Sequence, residues 1–296
     1  MKLLPFFCWP GAKNKLLLEI RKRYPLDLGF EEGLTKYVEP FVGGGAVLFD
    51  ILSTYTLQDI FINDLNIELI NAYICVRDKL SELKRYLDEL YWEYNNLSAI
   101  DRKLLYYRNR DKYNSIILTN DTISVEKAAL FICLTKTSFN GQFSVNKNNL
   151  YNASAGVGRK YDSFYNSENL DNISRALINV NIHTGSYDKL NFIIDSSTFV
   201  YFDPPYKSIV KSSHTSLYNS TPFGDAEQLK LAEFIKHIHR KGSKFVLSNS
   251  DCFTANGDTF FEELYAEFKI ERVEIKRLIS SNSAKRGSVS ELLISN

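Results

Sequence analysis

The sequence predicts an α/β protein: a mostly parallel sheet with helices on both faces, closed by an antiparallel C-terminal hairpin and carrying a small, mainly helical insert. Three observations predict it. Short apolar runs alternate with helix-period stretches at both ends of the 296-residue chain. Between 76 and 165 that alternation stops, and Tyr, Asn, Lys and Arg dominate. The last two alternating or apolar runs, 269–279 and 288–295, are joined by SNSAKRG and read as an antiparallel pair.

Taken in order, residues 13–24 form a short basic helix striped by Leu16, Leu17 and Ile20. YVEPF (37–41) is a strand that runs into Gly43-Gly44-Gly45 and an apolar helix start at Ala46. IFIND (60–64) is a second buried strand. One helix follows over 66–91, with Leu69, Ile70, Tyr73, Ile74, Leu80, Leu83 and Leu87 on its apolar positions. The insert holds a helix at 125–136. The segment TSFNGQFSVNKNNLYNASAGVGRKY comes next and, being rich in Asn, Ser and Gly, reads as loop or hairpin rather than core. Strands return at 180–185, 199–203 and 244–250. A Ser/Thr/Lys-rich loop covers 207–223, and Asp225 with Gln228 forms a capping box for a helix over 226–240. The body is therefore 1–75 with 166–296, and 76–165 is an insert.

Composition narrows the function classes. With 44% hydrophobic and 24% charged residues, the chain can build a sizeable core and is not a disordered polymer. The net charge is only +1, so a nucleic-acid face must come from clusters. Residues 1–25 carry 6 − 1 = +5, residues 269–290 carry 6 − 2 = +4, and the insert carries 14 − 10 = +4. Each cluster is equally compatible with a solvated surface. The four cysteines show no CxxC spacing, which argues against a disulfide scaffold or a zinc site. Pro5 and Pro10 break the N-terminal apolar run, so it is no signal peptide, and no stretch approaches a membrane span. A soluble, cytoplasmic protein is expected.

Two motifs carry chemistry. Glu39-Pro40-Phe41-Val42-Gly43-Gly44-Gly45 is a strand, a glycine turn and a helix start, where a ligand can approach backbone without meeting a Cβ. Asp64 closes the next strand 19 residues after Gly45, the spacing of a ribose-binding carboxylate in nucleotide-binding α/β folds. Without Asp64 the turn would be equally compatible with no ligand, and the absence of GKS or GKT leaves a P-loop unsupported. The second motif is Asp203-Pro204-Pro205-Tyr206, directly after FVYF. The prolines stiffen the chain so that the Asp203 carboxylate and the Pro204 carbonyl can face one point. Two acceptors there suit an amino group with two hydrogens and concentrate electron density on its nitrogen. Tyr206 offers a face on which a flipped-out base can stack. Read blandly, the tetrapeptide is a strand end and a proline turn. Four histidines take no role: His237 and His239 lie two apart on a helix, His183 and His214 have no partner at ligand spacing, and no Ser-His-Asp triad is present.

The collinear order of WPGAK, EPFVGGG, IND, an insert with FNG, DPPY and the closing SSNSAKRGSVSELLISN resembles the Dam-type (D12 class) DNA adenine methyltransferases over nearly the whole chain. The resemblance implies a Rossmann-like methyltransferase sheet and S-adenosyl-L-methionine as cofactor, with no metal. It implies that Trp9, Lys13, Glu39, Phe41, Gly43, Gly44, Gly45, Asp64 and Asp203 hold the cofactor, Asp64 through its ribose. Asp203, Pro204, Pro205 and Tyr206 would act on an adenine flipped out of duplex DNA, which receives the methyl group on its amino nitrogen. From the residues alone, Lys13 reads equally as a solvated lysine and Trp9 as a core anchor. Residues 1–75 and 166–296 would be the catalytic domain and 76–165 the target-recognition insert, with Phe139, Asn140, Gln142 and Ser144 on DNA. Family members that recognise GATC usually carry an apolar residue and an arginine where Gln142 and Ser144 stand, and NVPFG where Asn152-Ala153-Ser154-Ala155-Gly156 stands. Arginine is the commonest reader of guanine and glutamine suits adenine, so GATC specificity is unsupported while DNA binding stands. A monomer is expected, with a restriction endonuclease of the same site acting separately. Rival readings are amino-group methylation of RNA or a protein amide, and a non-catalytic DNA-binding homologue.

Overall fold

Apolar runs covered on both faces set the sheet. The computed structural model describes residues 2–11, 13–119, 123–207, 223–276 and 288–296. Its strands are β1 (Lys36–Glu39), β2 (Asp59–Asp64), β3 (Val180–Thr184), β4 (Thr198–Phe202), β5 (Lys244–Ser250), β6 (Lys269–Lys276) and β7 (Ser288–Ser295). They form one sheet in the order β3-β2-β1-β4-β5-β7-β6. The first five are parallel, and β7 runs antiparallel to both of its neighbours. Every residue of β4 is buried, as a central parallel strand demands. The expected α/β class and the antiparallel closing pair are both present. The SNSAKRG junction, and 208–222 with His214, lie outside the described residues.

The described α-helices are α1 (Leu17–Arg21), α2 (Ala46–Thr54), α3 (Ile67–Asp78), α4 (Leu80–Asn95), α5 (Ala99–Thr119), α6 (Val125–Thr137), α7 (Ser167–Leu177), α8 (Asp225–Arg240), α9 (Cys252–Asn256) and α10 (Phe260–Leu264). The single helix expected over 66–91 is two, because Lys79 leaves helical geometry at φ −134° and ψ 30°. No Gly or Pro marks that break. The long α5 buries polar Arg102 and Asn109 beside Leu105, Tyr106 and Tyr113. Arg102 is satisfied there by the carbonyls of Tyr94, Asn95 and Gly158. The capping box on α8 is shifted by one residue: the Gly224 N–H donates to Glu227 Oε2 at 3.0 Å, and Gln228 turns into the core.

Alternating side chains divide the core into two large clusters, one on each face of the sheet. Tyr37, Phe199, Tyr201 and Val246 join one, and Val38, Val200, Phe202 and Leu247 the other. The first cluster continues without a break from Phe7, Phe49 and Tyr73 into Tyr113, Phe131, Phe143 and Tyr151 of the 76–165 segment. Part of the Asn/Ser/Gly-rich stretch is therefore core, contrary to its composition. Bridges Ser138↔Ala155 and Val145↔Tyr151 fold it into a hairpin that turns Phe143, Tyr151 and Ala153 inward. The fully buried Lys127 of α6 pairs with Glu68 of α3 at 3.1 Å, a further tie between segment and sheet. Among the described residues, no helix is long and apolar enough to cross a membrane.

Candidate active site

The chain leaves β1 through Glu39 and turns on its glycines. Gly45 holds φ +74°, and a Cβ there would lie 2.4 Å from the Tyr73 hydroxyl and 2.9 Å from the Phe49 ring. No other residue fits. The Tyr73 hydroxyl donates to the Gly43 carbonyl at 3.1 Å. Trp9 packs under the same turn, so a Cβ on Gly43 or Gly44 would come within 3.0 Å of it. From the end of β2, Asp64 accepts the Gly43 N–H at 3.0 Å and the Asn66 N–H at 2.9 Å. Burial pushes its pKa up to about 6. Glu39 is buried at the base of the turn and accepts the Tyr37 hydroxyl at 2.7 Å; burial holds its carboxyl well above the usual range. Phe41 stands half-buried against the rings of Tyr187 and Phe223.

DPPY leaves β4, the parallel neighbour of β1. The strand order reverses between these two, so both motifs lie at the carboxyl ends flanking the switch point, where open α/β sheets bind ligands. Lys13 sits on Asp203 rather than on the glycine turn: its Nζ lies 2.9 Å from Oδ1 and 4.5 Å from the centre of the Tyr206 ring. Ser248 Oγ donates to the same carboxylate at 3.1 Å. Burial raises the Asp203 pKa, and Lys13 partly opposes that rise. The Tyr206 hydroxyl donates to Glu291 Oε2 of β7 at 2.7 Å. The DPPY acceptors, with Lys13 on Asp203, thus stand on the strand beside the glycine turn. Among the described residues no group of three or more His, Cys, Asp or Glu could hold a metal.

The hairpin presents Phe139, half exposed, and Asn140 in the left-handed region at φ +54°. Gln142 is exposed, and Ser144 Oγ donates across the hairpin to Asn152 Oδ1 at 2.7 Å. Between them Phe143 turns inward onto Trp9, with ring centres 4.7 Å apart. Gly141 passes close to Cys8, which fixes the hairpin beside the segment that carries Trp9 and Lys13.

The sequence model of the family described as D12 class N6 adenine-specific DNA methyltransferase matches residues 9–279. The chain belongs to that family. A Type II methyltransferase, M.MjaIII of Methanocaldococcus jannaschii, is 38% identical over 297 residues, covering 100% of both chains. The Type II methyltransferase M1.LlaDCHI of Lactococcus lactis is 31% identical, covering 100% of this chain and 96% of its own. The DNA adenine methylase of Escherichia coli K12 is 28% identical, covering 97% of this chain and 93% of its own. This D12 methyltransferase is therefore an enzyme that methylates adenine in DNA.

Sequence reading missed several residues that the fold of this methyltransferase brings to its site. In the sequence Ser248 and Asn249 read as strand, and Gln228 as part of a cap. Glu291 gave one signal, as an acidic residue breaking an otherwise apolar run, but nothing local tied it to Tyr206. Asn152 entered only as a departure from NVPFG.

Proposed function

We propose that this enzyme binds S-adenosyl-L-methionine across the ends of β1, β2 and β4 and methylates an adenine flipped out of duplex DNA. The adjacency of the two motifs on β1 and β4 carries this reading. The residues fit the cofactor: the glycine turn is a cradle whose Cβ positions are already filled by Trp9, Tyr73 and Phe49. Asp64 is half-buried and has lone pairs beyond its two backbone donors for ribose hydroxyls. Trp9, Lys13, Glu39, Phe41, Gly43, Gly44, Gly45, Asp64 and Asp203 would hold it. When bound, the cofactor supplies an electrophilic methyl group.

The chain's own residues do the rest. Asp203 and the Pro204 carbonyl accept the two amino hydrogens and turn the nitrogen lone pair outward. Lys13 and Ser248 fix the Asp203 carboxylate, whose raised pKa suits it to take the proton that the amino group sheds. Pro205 stiffens the turn, and the Tyr206 ring, held through Glu291, stacks on the base. Phe139 and Asn140 wedge the duplex from the hairpin, while Gln142 and Ser144 face the target sequence. Residues 76–165 act as the recognition segment, with 1–75 and 166–296 as the catalytic body. That two relatives are Type II methyltransferases supports a restriction endonuclease of the same site as a partner, which we take to act without forming a complex. We read the enzyme as a cytoplasmic monomer.

The test is Asp203→Ala, expressed in a host without adenine methylation and assayed with labelled methyl donor. Transfer should fall below detection while the protein stays folded. Near-normal transfer would refute the assignment of Asp203.

A further inference from the structure

Two fully buried amides lie behind DPPY, and neither belongs to the roles proposed so far. Gln228 of α8 and Asn249 of β5 are both 0% exposed. Gln228 Nε2 donates to the Pro205 carbonyl at 3.0 Å, and its Oε1 accepts from Asn249 Nδ2 at 3.2 Å. Asn249 Oδ1 in turn accepts the backbone N–H of Lys207 at 3.4 Å and that of Ser250 at 2.9 Å. Ser250 Oγ closes the set by donating to the Lys207 carbonyl at 2.9 Å. The Pro205 carbonyl and both the N–H and the carbonyl of Lys207 are thus held from two different elements.

Burying two amides without satisfying them would be costly, so a packed apolar pair would serve mere stability better. What the amides add is direction. Prolines at 204 and 205 remove two backbone donors, so the segment cannot fix its own carbonyls through a local ladder. Anchoring the Pro205 carbonyl inward sets the Pro205–Tyr206 peptide plane; because the Pro205 ring fixes φ, this also restrains the preceding Pro204–Pro205 plane, and with it where the Pro204 carbonyl and the Asp203 carboxylate converge. We infer that Gln228 and Asn249 are positioning residues for methyl transfer, an amide relay that aims the two acceptors at the adenine amino group. This rests on the assignment of Asp203 and Pro204 above.

The test separates aim from binding. Gln228→Leu removes both the donor to Pro205 and the acceptor for Asn249. Gln228→Met and Asn249→Leu keep the volume and lose the relay, and guard against a variant that does not fold. Single-turnover methyl transfer should fall on the order of 10- to 100-fold in each. Affinity for S-adenosylhomocysteine, measured by calorimetry, should stay within about 2-fold. The Gln228→Met/Asn249→Leu double variant should lose no more than either single one, because the relay acts as a unit. Transfer within 2-fold of wild type in folded variants, or a parallel loss of affinity and rate, overturns the inference. Asp203→Ala is run beside them. If it abolishes transfer while Gln228→Met does not, the relay alone falls. If it retains transfer, the assignment of Asp203 falls.

Discussion

Asp64 and Asp203, like Glu39, stand above their ordinary pKa, and for the first two the direction has consequences. Asp64 is pushed from 3.8 to about 6 by burial. A raised folded-state value favours the protonated form, so its contribution to stability is complete below 3.8 and lost as pH rises through about 6. Ribose hydroxyls need the opposite, ionised form. Affinity for S-adenosylhomocysteine should therefore drop about tenfold per unit as pH falls below 6, and Asp64→Asn should flatten the profile. A wild-type profile flat between pH 5 and 7 would remove Asp64 from the ribose. Lys13 lowers the pKa of Asp203. Lys13→Met should then move the acid limb of the rate profile to higher pH, and an unmoved limb would mean that the ion pair does not govern the reaction. Asp64, Asp203 and Tyr206 were legible because each closes or follows a strand inside a local motif. Lys13 was ambiguous because its partner, Asp203, lies in a distant part of the sequence.

Among elements, the glycine turn is the least tolerant. Gly45→Ala combines a left-handed φ with a clash against Tyr73 and Phe49, and should cost about 3 kcal/mol. Gly257 also sits at φ +77° but has nothing within 4 Å of a Cβ; alanine there should cost only about 1 kcal/mol. Comparing the two melting temperatures isolates the clash from the backbone strain. Such turns announce themselves in sequence because only glycine meets the geometry. Helix boundaries did so less well. Lys79 splits α3 from α4 with an ordinary residue, and Glu227 takes the capping role that Gln228 appeared suited to, since Gln228 is needed inside.

At the scale of the molecule, core continuity matters more than composition. Lys127 is buried against Glu68 and ties α6 to α3, so Lys127→Ala removes a cation from a half-buried carboxylate and should cost about 3 kcal/mol. The paired Lys127→Met/Glu68→Leu change should recover most of that loss. Equal denaturation midpoints for Lys127→Ala and wild type would contradict both statements. The polar look of 76–165 concealed this continuity, because inward Phe143 and Tyr151 are separated by Asn and Ser that face outward. The closing hairpin was legible from its alternation, yet its insertion with β7 between β5 and β6 was not. Strand order depends on pairings far apart in sequence, and that order brings Glu291 to Tyr206.

The contact between Trp9 and the glycine turn also gives the molecule an optical signal of its own. The chain has two tryptophans, and the second, Trp92, is 63% exposed on α4. With Trp92 replaced by phenylalanine, every photon emitted by indole would come from a ring wedged between Gly43-Gly44 and Phe143. One emission spectrum would then register both the filling of the cradle and any shift of the hairpin against it, with no label attached.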